Sequence, residues 1–289
     1  MKVLLLNIDS KLPNIALKKI EMFHKLQGDE VVWDMPMMLG VADKTYASCI
    51  FARNYDVVAN YKGLYPALNV GGTGYDLTVK LPPEIDAMKP KINYGFTTRG
   101  CVRRCAFCVV PKAEGNIRVV GDIYDVWDGH AKSIVLYDNN ILALPKHFTK
   151  ICNQLVKEDI AVDFNQGMDI RLVTPEICEL FNKLKFTDGL RFSFDHPSLE
   201  KAIRAKVKLL RKFYKRKYIL FYILVGYDTT FEEDIHRLQV IKELGCRAYI
   251  MRHENTPREK RYIRMAQWAN QFWTFGKFDF ETFCVKYEE

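Results

Sequence analysis

Three cysteines fall within one short stretch, Arg99-Gly100-Cys101-Val102-Arg103-Arg104-Cys105-Ala106-Phe107-Cys108. Three thiolates can ligate three irons of a cubane 4Fe–4S cluster, which normally takes four protein ligands. One iron then keeps an open position, as a catalytic metal needs and a structural one avoids. Arg103 and Arg104 inside the loop, and Arg99 before it, favour thiolate over thiol. A zinc ribbon would require a second, separated pair of ligands, and the sequence holds no second CxxC or CxxH. Cys49, Cys152, Cys178, Cys246 and Cys284 are scattered and read as small buried hydrophobes. Clustered thiols in a chain of this composition point to thiolate chemistry in a reducing, cytoplasmic setting before disulfides.

The elements that must position these residues fit a chain of 289 residues, enough for one large domain or two modest ones. With 48% hydrophobic and 27% charged residues, the composition is that of a globular protein with a real core. No apolar run reaches the ~18 residues of a membrane span, so no membrane association is expected. The apolar start, MKVLLLNID, is broken by Asp9 and Lys11 and reads as a buried first strand.

Residues 1–90 read as a small α/β domain. Val3 to Ile8 is a continuous apolar run, as in a buried parallel strand. Asn14 caps a helix in which Leu17, Ile20, Phe23 and Leu26 recur at helical spacing, and Gly28 ends it. Glu30 to Trp33 reads as a second strand, Tyr46 to Arg53 as a second helix, Asp56 to Ala59 as a third strand and Ala67 to Val70 as a fourth. This alternation predicts a doubly wound parallel sheet. Leu81 to Pro90, with three prolines, reads as the linker.

Residues 91–289 restart the alternation. Six strands are predicted: Asn93 to Thr98, Lys132 to Tyr137, Ala161 to Gln166, Leu190 to Phe194, Tyr218 to Val225 and Arg247 to Met251. Thr174–Pro175 and Ser198 mark helix starts, and Thr230 to Glu233 fits a capping box. Six βα units are too few for a closed eight-fold barrel and predict a partial (β/α)6 TIM-like barrel with a C-terminal helical tail. In such parallel arrangements the chemistry sits at the carboxyl ends of the strands. The cysteine motif follows the first of these strands.

CxxxCxxC with an aromatic residue before the last cysteine resembles the signature of the radical S-adenosylmethionine (SAM) superfamily. Pro13-Asn14-Ile15-Ala16-Leu17, Gly71-Gly72-Thr73-Gly74 and Asp169-Ile170-Arg171 resemble a group of short bacterial and phage radical SAM proteins. Their first domain is similar to cobalamin-binding domains. The resemblance implies a 4Fe–4S cluster on Cys101, Cys105 and Cys108, with SAM chelating the free iron. One electron then cleaves SAM to a 5′-deoxyadenosyl radical that takes hydrogen from a substrate, while the protein binds and orients.

Carried over residue by residue, the resemblance places the backbone of Phe107 against adenine. Asp138, with Asn139 or Asn140 helping, stands where many relatives bind the SAM ammonium through a Gly-Gly-Glu. Ser193 and Asp195 share one face of their strand and stand where ribose or the methionine carboxylate is contacted. Gly226 resembles the glycine near adenine, and Arg171 matches a carboxylate bidentately. Asn165, Gln166, Asp169, Arg191, Arg252 and His253 would line the same mouth.

Two departures matter. Cobalamin-dependent relatives carry Asp-x-His-x-x-Gly, whereas this chain reads Asp34-Met35-Pro36-Met37-Met38-Leu39-Gly40, so cobalamin is not expected; His24 is read as a half-exposed helix residue. Methylthiotransferases share the domain order but add three N-terminal cysteines for a second cluster and often a terminal RNA-binding domain. Here the first ninety residues hold only Cys49, and the chain ends in an aromatic tail from Trp268 to Phe283, which argues against that activity.

Nine of the 43 basic residues lie between Lys201 and Lys217, and the remainder carries 34 basic against 35 acidic residues. Ile203, Val207, Leu210 and Tyr214 form a packing stripe there, so the basic residues read as a solvated helix face; Arg258, Lys260, Arg261 and Arg264 form a smaller patch. The reading is therefore a radical SAM enzyme with an unidentified substrate and a one-electron donor such as a flavodoxin or ferredoxin. A nucleic-acid-modifying enzyme is the less favoured alternative, and a non-catalytic iron–sulfur binding or regulatory protein is the third.

Overall fold

A computed structural model describes residues 1–214, 218–253, 256 and 259–287. The protein is mixed α/β and divides into two compact units, Met1–His130 and Ala131–Glu289. Residue 90, where the linker was expected to end, lies inside the first unit. Within that stretch a short helix, α3 (Pro83–Asp86), adds Ile85 to the core.

The first unit opens with β1 (Lys2–Asn7), α1 (Ile15–Leu26), β2 (Glu30–Trp33), β3 (Lys44–Ser48), α2 (Tyr55–Leu64) and β4 (Asn69–Gly71). The four strands form a parallel sheet in the order β2-β1-β3-β4. Side chains alternate across a strand. Val3 and Leu5 therefore pack with Leu17 and Ile20 of α1, while Leu4 and Leu6 pack with Val58 of α2 and with Ala47 and Val70. Helices thus cover both faces, as the sequence predicts.

Two local readings are corrected. Lys44–Ser48 is a strand, not the start of a helix, because Leu4, Leu5 and Leu6 of β1 pair with Thr45, Tyr46 and Ala47. Asp56 to Ala59 is helical, not a strand. Its two valines suggested a strand, yet only Val58 is buried while Val57 faces solvent, a helical pattern. His24 is fully buried rather than half-exposed. It continues the Leu17–Ile20 stripe, and its ring is held by Asp29 at 2.7 Å and the Tyr46 hydroxyl at 3.1 Å.

The rest of this unit carries the cysteine loop. The strand predicted over Asn93 to Thr98 is broken into β5 (Tyr94–Gly95) and β6 (Thr98–Arg99). The break has a cause in pairing: β6 joins β7 (Arg118–Val119) in an antiparallel pair, with α4 (Val110–Ala113) between them.

The second unit contains β8 (Ser133–Leu136), α5 (Pro145–Lys157), β9 (Ala161–Phe164), α6 (Pro175–Lys183), β10 (Lys185–Phe186), β11 (Leu190–Ser193), α7 (Glu200–Phe213), β12 (Ile219–Val225), α8 (Phe231–Glu243) and β13 (Arg247–Arg252). β8 pairs with β9 and β9 with β10; β11 pairs with β12 and β12 with β13; every pairing is parallel. A single parallel bridge, Met168 to Phe192, links the loop after β9 to β11. The five longer strands fall where the sequence places them, and β10 is an addition.

Thr174 accepts the Ile177 N–H at 3.4 Å, and Thr230 and Glu233 form the expected capping box. Ser198 does not cap; the His196 ring accepts the Ser198 N–H instead, at 3.2 Å. Ile203, Val207, Leu210 and Tyr214 are buried as predicted. The end of the basic run, Lys215, Arg216 and Lys217, and Arg258 of the smaller patch lie outside the described residues.

The chain continues through α9 (Lys260–Ala269), α10 (Phe272–Lys277) and α11 (Phe280–Lys286). Trp268, Phe275 and Phe283 are buried, and Trp268 lies 5.0 Å from Phe275 and 5.5 Å from Phe280 between ring centroids. Phe272 and Trp273, expected to pack in this tail, are exposed. Among the described residues no helix is long and apolar enough to cross a membrane.

Candidate active site

In the first unit, Cys101, Cys105 and Cys108 line one cavity of about 460 Å³, together with Arg104, Lys112 and Asn116. Local bonds shape the loop. The Cys108 N–H donates to the Cys105 carbonyl at 3.0 Å, and the Arg103 N–H donates to the Cys101 sulfur at 3.3 Å. Cys101 and Cys108 are half-buried and Cys105 is exposed.

Among the described residues no three Cys, His, Asp or Glu side chains converge to hold a single metal ion. A cubane makes a different demand, since each cysteine ligates its own iron and the sulfurs need only surround a shared space. Three thiols around one cavity with two cations at its wall meet that demand, so the residues present fit the cluster.

Of the three arginines the sequence favoured, Arg104 lines the cavity. Arg99 is paired with Glu114 at 2.8 Å and lies 4.2 Å from the centre of the Phe96 ring. Lys112, which the sequence did not single out, joins Arg104 at the cavity wall. Phe107 is half-buried and does not line the cavity, although its neighbours Ala106 and Cys108 do.

Four of the scattered cysteines are chemically quiet. Cys49, Cys152, Cys178 and Cys246 are buried, while Cys284 is half-buried. Burial pushes the Cys152 thiol up to about 12 and those of Cys178 and Cys246 up to about 11. Burial, then the Asp9 carboxylate, raises Cys49 as well.

In the second unit, residues at the carboxyl ends of the parallel strands gather. Asp138 and Asn140 after β8 are buried, and Asn139 between them is half-buried. Asn140 reaches the next loop, where its side-chain oxygen accepts the Asp169 N–H at 3.3 Å. Asp169 in turn holds Arg171 in a bidentate pair, at 2.7 and 2.8 Å. Arg171 therefore carries its own carboxylate partner. Ser193 at the end of β11 and Asp195 just beyond it are half-buried on one face, whereas Phe192 and Phe194 are fully buried on the other. Loss of hydration pushes the Asp195 carboxyl up to about 6, opposed by the fields of Arg237 and Arg171. A carboxyl so shifted, at a strand end, has the character of a functional group.

Gly226 ends β12 at φ +71°, where a Cβ would meet the Thr256 hydroxyl oxygen at 2.5 Å. Its N–H donates to Asp234 at 3.0 Å. The His253 ring lies tilted against that of Tyr227, with centroids 4.7 Å apart, and Arg252 is exposed. Arg191 is buried and pairs with Asp163, and with Asp188 at 2.7 Å.

No family model matches the chain. Among curated proteins it is similar to a tRNA-2-methylthio-N(6)-dimethylallyladenosine synthase of Sulfurihydrogenibium sp., 28% identical over 172 residues, which cover 50% of this chain and 39% of that protein. It is also similar to the ribosomal protein uS12 methylthiotransferase RimO of Colwellia psychrerythraea, 28% identical over 179 residues, covering 61% and 36%. A second tRNA-2-methylthio-N(6)-dimethylallyladenosine synthase, of Flavobacterium psychrophilum, is 31% identical over 113 residues, covering 35% and 21%. These relatives are radical SAM enzymes. The similarity supports an enzyme of that superfamily, and the chain spans under two-fifths of the length of each relative.

Four residues of the two sites escaped the sequence reading. Lys112 and Glu114 lie beyond the motif and are brought back to it by the loop's closure. Asp234 and Arg237 lie on α8, one turn apart, and both are fully buried. Their signal was present: two charged residues on the same helix face as Leu238 and Ile241 have to be buried together.

Proposed function

We propose that this chain binds a 4Fe–4S cluster through Cys101, Cys105 and Cys108 and cleaves SAM reductively to act on an unidentified substrate. The cavity walled by those three cysteines carries the reading. When bound, the cluster and SAM supply one-electron cleavage of the sulfonium and a hydrogen-abstracting 5′-deoxyadenosyl radical.

The chain's own residues bind and orient. Arg104 and Lys112 offset thiolate charge at the cavity. The Phe107 backbone is assigned to adenine. Asp138 and Asn139 are assigned to the SAM ammonium, with Asn140 tying their loop to Asp169. Ser193 and Asp195 are assigned to ribose. Gly226 is assigned to adenine; the place a Cβ would take there is filled by Thr256, so only glycine fits at this strand end. Arg171 is assigned to the methionine carboxylate, whose geometry a guanidinium matches bidentately.

The sequential parallel strands of the second unit support a partial (β/α)6 barrel, with residues 1–90 as a cobalamin-binding-like domain and 91–289 as the catalytic one. Cobalamin is not part of the proposal: the one histidine of residues 1–90 is buried between Asp29 and Tyr46. Nor is sulfur insertion from a second cluster, because Cys49 is alone in that segment and buried. A flavodoxin- or ferredoxin-type donor would supply the electron. Nucleic acid is not favoured: Arg204 on the basic helix is held by Glu200 and Glu243, and Arg211 by the Gly245 carbonyl.

The test is anaerobic reconstitution with iron and sulfide, then incubation with SAM and dithionite. Release of 5′-deoxyadenosine is expected. Full iron loading without that product would leave a non-catalytic iron–sulfur protein, and cobalamin copurifying in stoichiometric amount would overturn its exclusion.

A further inference from the structure

The loop from Gly100 to Asn116 is closed at its foot by a single carboxylate. Glu114 accepts the Gly100 N–H through one oxygen at 2.7 Å and pairs with Arg99 through the other at 2.8 Å. Its side chain is only 14% exposed, against 36% for Arg99, so the carboxylate end of both bonds is largely withdrawn from water. The Cys101 N–H donates to the Gly115 carbonyl at 3.2 Å, one residue beyond on each side. The two ends approach so closely at Gly100, at φ +81°, that a Cβ there would lie 2.3 Å from the Asn116 carbonyl oxygen. Below the clasp, Thr98 and Arg99 pair with Val119 and Arg118, and Arg118 donates to the Glu114 carbonyl at 2.8 Å. Lys80 holds the neighbouring Ala113 carbonyl at 2.7 Å.

We propose that Glu114 is a positioning residue that shapes the cysteine loop before any cluster is bound. It rests on the proposed function for the word cluster, but the clasp itself belongs to the polypeptide. A flexible loop would lose conformational entropy when three thiols are fixed around iron. A loop already closed meets less of that cost at the moment of loading. The carboxylate also neutralises Arg99, leaving Arg104 and Lys112 as the cations at the cavity.

Glu114→Gln keeps an oxygen for the Gly100 N–H and loses the ion pair, whereas Glu114→Ala loses both. The readout in cluster-free full-length protein is hydrogen–deuterium exchange over residues 100–116. With Glu114→Ala the Gly100 and Cys101 amides should exchange about tenfold faster or more, the scale of one hydrogen bond to a charged acceptor. Glu114→Gln should fall between that variant and the parent. Iron retained after reconstitution and gel filtration should follow the same order. Unchanged exchange in Glu114→Ala would overturn the proposal. If the parent protein takes up no iron while the exchange order holds, the clasp stands and the cluster reading fails, so the two failures are separable. Lys208→Ala, on an exposed helix face in the other unit, controls for general destabilisation.

Discussion

Asp234 and Arg237, three residues apart on α8 and both fully buried, form an ion pair that joins the ends of two parallel strands. Arg237 donates to the Phe194 carbonyl after β11 and to the Leu224 carbonyl in β12, each at 2.6 Å. Asp234 accepts from the Gly226 N–H at 3.0 Å and the Thr229 hydroxyl at 2.7 Å. One pair thus fixes both segments to which Asp195 and Gly226 belong.

Breaking that pair should be expensive. Arg237→Ala would leave Asp234 as an uncompensated buried charge, at a cost of about 3–5 kcal/mol. Urea unfolding monitored by circular dichroism measures it. A loss under about 1 kcal/mol would show that the pair is not what holds these strand ends together.

Asp195 predicts a pH dependence whose sign is fixed. Its carboxyl moves from 3.8 to about 6 on folding. Between those values the native state binds more protons than the unfolded state, so stability falls as pH rises through that window and levels off above it. Two pKa units correspond to an effect on the order of 2–3 kcal/mol. Asp195→Asn should flatten this part of the stability profile and be more stable than the parent at pH 7. The same variant should weaken SAM binding in calorimetry. A pH profile indistinguishable from the parent's would remove Asp195 from the set of shifted groups.

The cysteines divide into two sets that iron analysis can separate. Changing Cys101, Cys105 or Cys108 to Ala should lower bound iron from about four per chain and abolish SAM cleavage. Cys152→Ala and Cys178→Ala should retain both, because their thiols are sealed in the core and held protonated by burial. Full iron content in the triple variant would falsify the ligand assignment.

The basic helix should not act as a nucleic-acid surface. Lys201, Lys208 and Lys212 are exposed, and their change to Glu should leave SAM cleavage unaltered. Filter binding of RNA and DNA at two salt concentrations should show weak binding in the parent protein. Tight, salt-sensitive binding lost in the variant would instead mark a phosphate-tracking surface.

Legibility in the sequence followed the range of the forces involved. The cysteine triplet, the Thr174 and Thr230 caps and five parallel strands were readable because spacing, capping and apolar runs act locally. Asp56 to Ala59 was misread because two adjacent valines suggest a strand although only Val58 is buried, and Tyr46 to Ser48 because strand and helix there differ only in what β1 offers as a partner. His24 was misplaced for the same reason, since its polar contacts come from Asp29 and from Tyr46 on another strand. Glu114 was missed because a carboxylate's role as an acceptor for a distant N–H group leaves no trace in spacing, whereas Asp234 did leave one, on the buried face it shares with Arg237, Leu238 and Ile241.

The distribution of sulfur bears on how the protein would age in air. Four thiols are sealed in the two cores, at Cys49, Cys152, Cys178 and Cys246. Thiol–disulfide exchange requires an accessible thiolate, so these four stay out of any scrambling. Among the described cysteines, thiol oxidation would fall on Cys101, Cys105 and Cys108 of the tethered loop and on the half-buried Cys284. A bleached sample would then be repairable by a reductant followed by iron and sulfide, without unfolding and refolding the chain.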